Sequence, residues 1–290
     1  MRWLRLVEKL RVPMMLFPSI AILVVLFGGG LLVGVGQSFG YFPVIGLDDF
    51  TFAYYGDILT DRGFFASLWL TFRIALISTF LSSVLAVACA LVLRDKFRGS
   101  RFMTFVFQIA IPIPHLVAAA GIVLLVGQSG MLSRLMVALG LTQTPGDFPP
   151  IVYDRAGIAI ILTFLWKEVP FIGIVVLAVL QGIGPQYEEI AQTLGANGWQ
   201  RFRYVLLPLI MPGLLSTSII VFAFVFANYE IPFLLGVKYP QTLPVMAFEN
   251  YKDPDLALRP QAMAVSVVLA VIAIVLLVAY KQLAKYAIKT

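Results

Sequence analysis

The sequence predicts an all-α, polytopic membrane protein with six transmembrane helices. Three observations predict it. Apolar residues make up 60% of the 290 and charged residues only 12%, against roughly 25% charged in soluble domains. The apolar residues gather in six runs, each of about 20 residues or more, the length that crosses a hydrocarbon core as a helix. None of these runs alternates apolar with polar, as a barrel strand would, and in lipid only helices and closed barrels satisfy their own backbone.

The first run, 14–36, follows Met1, Arg2 and Arg5. It is too apolar for too long to be a secretory signal and reads as an uncleaved span; Gly30 and Gly34 offer it a small-residue packing face. The second, 64–93, carries Arg73 and the one cysteine, Cys89, so no internal disulfide can form. The third, 102–127, contains Pro112 and Pro114. Each removes a backbone donor, so the pair either kinks this span or separates an interfacial helix from the true one. Between the third and fourth runs lies MLSRLMVALGL, 131–141, with Leu132, Leu135, Met136 and Leu139 at helical spacing and Arg134 opposite, which predicts a short helix lying on the outer surface. The fourth run, 157–181, holds Lys167 and Glu168 just before Pro170, where a bend is expected. The fifth, 209–235, includes Asn228, Tyr229 and Glu230, and the sixth is 262–284. Residues 1–290 read as a single membrane domain.

Loop cations set the orientation. With a cytoplasmic N-terminus, thirteen face inward: Arg2, Arg5, Lys9, Arg11, Arg94, Lys96, Arg98, Arg101, Arg201, Arg203, Lys281, Lys285 and Lys289. Six face outward: Arg62, Arg134, Arg155, Lys238, Lys252 and Arg259. Both termini are therefore expected inside. Collected beside anionic headgroups of membrane lipid, these cations account for the net charge of +6 with no nucleic-acid partner.

One stretch is out of keeping with the rest. EEIAQTLGANGWQRF, 188–202, lies between the fourth and fifth runs. Pro185 suits a first helical turn, and Glu188 and Glu189 complement that helix's N-terminal dipole. Gly195 suits a C-terminal cap, and Asn197-Gly198 a chain reversal, after which a second helix starts near Trp199 and stops short of Pro208. The result is a compact helical hairpin over 185–207. It has small residues at its tip (Ala191, Gly195, Ala196) and aromatics behind them (Trp199, Phe202, Tyr204). A plain connector between helices needs only about 2–8 residues, so the hairpin reads as something inserted into another protein's groove.

The pattern of Glu189, Ala191 and Gly195, followed by Val205, Leu207 and Pro208, resembles the signature loop of the membrane subunits of bacterial ATP-binding cassette importers of type I. Ile190 and Leu194 stand where that family usually has Ala and Asp. The resemblance extends over 64–285 and takes in Trp166, Pro170 and Phe171 and the LLPLIMPG start of the fifth run. It implies a bacterial inner-membrane permease whose hairpin residues Glu188, Glu189, Ala191, Gly195, Ala196, Arg201, Leu207 and Pro208 couple it to separate ATPase subunits. Its partners would be two such ATPases carrying ATP and Mg, a second permease that is a different but homologous chain, and an external solute-binding protein. The sequence has no Gly-Lys dipeptide and so no phosphate-cradling P-loop, which fits a transport subunit with no ATPase site and no cofactor of its own. Asn228-Tyr229-Glu230 resembles a segment of the polyamine, iron and thiamine branch.

Ionisable groups at span depth are functional candidates by default. There are four: Arg73, Lys167, Glu168 and Glu230. At about 1.5 Å per residue, Arg73 and Glu168 lie roughly 14 and 16 Å from the starts of their spans, so they could pair. Glu230 could likewise pair with Lys167. The resemblance places the substrate path on the fourth and fifth spans, which nominates Lys167, Glu168, Asn228, Tyr229 and Glu230. The outer loops hold nine acids against six bases, a mild hint of a cationic, polyamine-like solute or of a basic binding protein. Two other classes fit the sequence less well. An ion-coupled secondary transporter should show inverted repeats, which are not evident. A membrane enzyme would have to work with one histidine, His115, and no Ser-His-Asp or metal-ligand cluster; His115 reads as a packed polar residue.

Overall fold

The computed structural model describes residues 14–94 and 99–289, with side chains as far as Gln282 in the last helix. Arg2, Arg5, Lys9, Arg11, Lys96 and Arg98, and the side chains of Lys285 and Lys289, lie outside the described residues. Six described helical stretches are long and apolar enough to span a membrane: Met14–Ser38, Arg62–Leu93, His115–Ala138 (two helices in succession), Ile158–Ile183, Gly198–Ala227 and Leu256–Gln282. The chain divides into two compact units, one of residues 1–61 and 247–268, the other of 62–246 and 269–290.

In the first unit α1 (Met14–Ser38) has none of its most apolar window buried, as expected of a helix sheathed by lipid. Of the two glycines expected to pack, Gly34 lies against Met263, whose Sδ would be 3.4 Å from an added Cβ, while Gly30 has nothing within 4 Å. The end of α1 is tied to α2 (Ala53–Thr60) by the Ser38 and Tyr55 hydroxyls, 2.7 Å apart. Arg259 lies over the rings of Tyr251 and Phe42, 5.0 and 5.9 Å from their centroids.

The second unit is organised around α7 (Ile158–Ile183), the most buried of the spans. Its partner is α3 (Arg62–Leu93), whose Ala75, Ser78, Ser82, Ala86 and Ala90 recur every three or four residues and are all buried. Small side chains on one face let two helices approach closely where lipid supplies no hydrophobic drive between them. At Gly173 of α7 an added Cβ would come within 2.5 Å of the Phe107 ring. α7 continues through Pro170, where the sequence leads one to expect a bend; the helix is unbroken there.

The third and fifth runs differ from single spans. The third is two helices, α4 (Ser100–Gln108) and α5 (His115–Val126), separated at 109–114. Pro112 and Pro114 have no N–H to return to the carbonyls four residues earlier, so the helix ends before them. After α5 comes α6 (Met131–Ala138), the short helix expected from its periodicity. Its buried residue is Ser133, whose hydroxyl donates to the Gln128 carbonyl at 2.6 Å, while Leu135 and Leu139 stay exposed. Next come α8 (Gln186–Thr193) and α9 (Gly198–Ala227), which form the hairpin and the fifth span. Contrary to expectation, the second arm does not stop before Pro208. A π-helical turn, Phe202–Leu206, precedes the proline, and the wider hydrogen-bond spacing absorbs its missing donor, so hairpin and span are one helix. The fifth span ends at Ala227; Asn228 Oδ1 then accepts from Ile231 N at 3.1 Å, starting the short α10 (Glu230–Leu235). Leu243–Lys252 (α11) and Arg259–Lys289 (α12) complete the chain.

Candidate translocation and coupling sites

Lys167 and Glu168, adjacent and buried on α7, meet the break between α4 and α5. Lys167 Nζ donates to the carbonyls of Ala110, Ile111 and Ile113 at 2.6, 3.1 and 2.5 Å. Ala110 is the residue whose carbonyl Pro114 leaves without a helical donor. An ammonium has three donors, which suits it to cap several carbonyls at a helix end. Glu168 Oε1 is 3.5 Å from His115 Nε2, at the first residue of α5. The two neighbours therefore clasp opposite sides of one break: the cation on the carbonyl end, the carboxylate on the start of the next helix.

Two expected pairings do not form. Arg73 Nη2 donates to the carbonyls of Arg155 and Ala156 at 3.0 and 2.8 Å, on the approach to α7, and not to Glu168. Its long side chain reaches the non-helical carbonyls near the helix start, which keeps the guanidinium away from the buried carboxylate. Lys167 does not pair with Glu230, because its donors are taken by the carbonyls of the break. His115 is packed, as read from the sequence, with its ring centroid 4.7 Å from that of Phe224, but it also joins Glu168. Its position directly after Pro112-Ile113-Pro114 was the available signal.

A cavity of about 200 Å³ opens here, lined by Ile111, His115, Lys167, Glu168, Phe171, Ile220, Val221 and Phe224. Of the five expected path residues it gathers Lys167 and Glu168. Asn228 serves as a cap, and Tyr229 and Glu230 lie at the α9–α10 break beyond the cavity lining.

The hairpin is a preformed unit. Gly184, at φ 73°, ends α7, and Gly195, at φ 86°, ends α8; both need the left-handed backbone that glycine adopts without penalty. Gly195 N and Ala196 N donate to the carbonyls of Gln192 and Ala191, each at 2.9 Å. Asn197 and Gln200 then form a reciprocal capping box, 2.9 and 2.8 Å, that starts α9. Arg201 reaches across to Gln192 at 3.4 Å, joining the arms. Glu189, Gly195 and Pro208 are exposed, while Ala191, Ala196, Arg201 and Leu207 are half-buried. Glu188 turns inward onto Arg94, the residue after α3, in a two-pronged contact of 2.6 and 3.1 Å. The outward surface carries Tyr187, Ile190, Leu194, Trp199 and Tyr204, with Leu194 82% exposed.

Membrane-length helices, one span interrupted beside the buried Lys167 and Glu168, and an exposed hairpin leading directly into another span describe a polytopic helical membrane protein. The family follows from comparison. Residues 78–287 match the family described as binding-protein-dependent transport system inner membrane component, and the chain belongs to it. It is 32% identical over 222 residues to the sulfate transport system permease protein CysW of Synechocystis sp., covering 75% of this chain and 76% of that protein. To the trehalose/maltose transport system permease protein MalF of Thermococcus litoralis it is 24% identical over 249 residues, covering 84% and 81%. In fold it is similar to a chain of a bacterial ABC transporter involved in the import of the acidic polysaccharide alginate, with a TM-score of 0.82, 18% identity and 99% of both chains covered. The chain is thus a multi-pass inner-membrane permease of an ABC importer, a transport component that works with ATPase subunits, a second permease and an external binding protein.

Proposed function

We propose that this permease carries a small polar solute, rich in hydrogen-bond donors, along a path that passes the cavity between α5, α7 and α9. The single observation that supports this is the Glu168 carboxylate, 7% exposed and faced by His115, at span depth and flanked by Phe171 and Phe224. A buried carboxylate beside an imidazole presents an acceptor and a donor together, and aromatic faces exclude water around them. Hydroxyl-bearing solutes fit that chemistry, because the Lys167 ammonium in the same lining offsets the charge of the carboxylate. The relatives differ in solute, sulfate for one and trehalose or maltose for the other, so they give no special support to the polyamine branch, and the class is read from the pocket. Asn228, Tyr229 and Glu230 would continue the path at the break after α9.

In this reading the hairpin 185–207 faces the cytoplasm, with both termini, and its exposed residues seat in a cleft of the ATPase. ATP and Mg act on that partner. Because α9 runs from Gly198 to Ala227 with no loop between hairpin and span, a displacement of the hairpin passes to the fifth span through the π-helical turn Phe202–Leu206. Family membership disfavours the ion-coupled secondary transporter.

The test is uptake into proteoliposomes by the complex co-purified with its genomic neighbours. ATP should be required, and Glu168→Gln should lower uptake about tenfold or more while leaving assembly intact, the loss expected when a buried polar contact to a solute goes unpaired. Uptake by this chain alone, driven by a proton or sodium gradient, would refute the proposal.

A further inference from the structure

We propose that Arg94 is a positioning residue for coupling: with Glu188 it latches α8 to the end of α3, so that displacement of the hairpin is carried into the second span as well as the fifth. This rests on the reading that the hairpin receives the movement of the ATPase.

The two arms of the hairpin are attached unequally. α9 passes into its span without a break, but α8 is joined to α7 only through Gly184 and Pro185, with Gly184 at φ 73°. A turn of that kind transmits little torque, so α8 needs a second attachment if it is to move anything other than α9. Arg94 supplies one. Its backbone N–H still bonds to the Ala90 carbonyl at 2.9 Å, so it belongs to the last turn of α3. Its guanidinium meets both oxygens of Glu188, Nη1 to Oε1 at 2.6 Å and Nη2 to Oε2 at 3.1 Å. Parallel two-point contacts between planar groups fix orientation as well as distance, which a single lysine contact would not. The side chains are 24% and 19% exposed, so water screens them less than it screens a surface pair. Glu188 also lies in the first turn of α8, where the helix dipole already favours its charge. Beyond the latch, α3 packs along α7 through its small-residue face, so a pull on Arg94 acts on the helix pair that carries Lys167 and Glu168.

Glu188 is therefore assigned inward, to Arg94, while Glu189 beside it is exposed and free to meet a partner. The experiment uses the reconstituted importer and compares Arg94→Gln, Glu188→Gln and the reversed pair Arg94→Glu with Glu188→Arg. Arg94→Gln should still co-purify with the ATPases and hydrolyse ATP at the wild-type basal rate, yet its uptake per ATP should fall about threefold to fivefold, the range set by a partly screened ion pair. The reversed pair should recover most of that ratio. Uptake per ATP unchanged in Arg94→Gln, or falling only in step with assembly and melting temperature, overturns the proposal. Should the single variants assemble poorly, Arg94→Cys with Glu188→Cys joined by a short cross-linker decides it: retained uptake supports a latch that moves as one body, and blocked uptake refutes it. A wild-type complex that contains no ATPase would remove the proposed function itself; an ATP-driven complex indifferent to Arg94 removes only the latch.

Discussion

Lys167 and Glu168 are adjacent in sequence and should fail in different ways when replaced. Lys167 is held by three carbonyls of the broken third span, so Lys167→Met strips all three of their donor at once. Hydrogen bonds to charged groups are worth about 1.5–3 kcal/mol each, and the loss should be on the order of 3 kcal/mol or more. It should appear as a lower melting temperature of the purified permease and a smaller yield of assembled complex. Glu168→Gln keeps a hydrogen-bonding side chain of the same shape beside His115, so its melting temperature should stay near wild type while uptake falls. Equal thermal losses in the two variants would mean that Glu168 is as structural as its neighbour. Gly195 offers a purely backbone test: at φ 86°, with nothing within 4 Å of an added Cβ, Gly195→Ala should cost roughly 1–2 kcal/mol from the left-handed conformation alone. Thermal unfolding checks it, and a neutral result would indicate that the cap relaxes.

At the scale of helices, the chain announces its breaks and hides what holds them. Pro112 and Pro114 mark the interruption of the third span in plain sight, as Gly195 marks the end of α8, because both act through local backbone chemistry; the expected Asn-Gly reversal is instead an Asn197 cap with Gly198 already helical. What caps the interruption is 54 to 57 residues away, on α7, and depends on how α4 and α7 approach each other. Helix depth alone therefore paired Arg73 with Glu168 and overlooked the carbonyls that each cation in fact found. Pro208 illustrates the converse: a local rule predicts a stop, and one π-helical turn overrides it. The approach of α4 to α7 can be tested directly. A Cβ on Gly173 would lie 2.5 Å from the Phe107 ring, so Gly173→Val should overpack the contact and cost about 1–3 kcal/mol. Phe107→Ala in the same chain should recover part of that loss, giving a coupling term in a double-mutant cycle. Additive losses would mean that the two helices separate freely at this point.

For the molecule as a whole, two features with different origins favour the same membrane face for the hairpin. The Lys and Arg excess, thirteen against six, favours a cytoplasmic hairpin side because translocation disfavours clustered loop cations. The hairpin's surface independently calls for a soluble partner: Leu194 is 82% and Trp199 69% exposed on a polar helix pair, a density of bare apolar side chains that marks an interaction site. Only the cytoplasmic side supplies ATP to such a partner. The lone native thiol, Cys89, is half-buried within α3, so Cys89→Ser gives a background with no competing label. In that background, Leu194→Cys in sealed right-side-out vesicles should resist a membrane-impermeant maleimide and react once the vesicles are opened. Adding the purified ATPase should then protect it. Labelling of intact vesicles would turn the whole topology over and end the coupling role of the hairpin, whereas cytoplasmic labelling without protection would leave the topology standing and move the ATPase contact to another part of the loop.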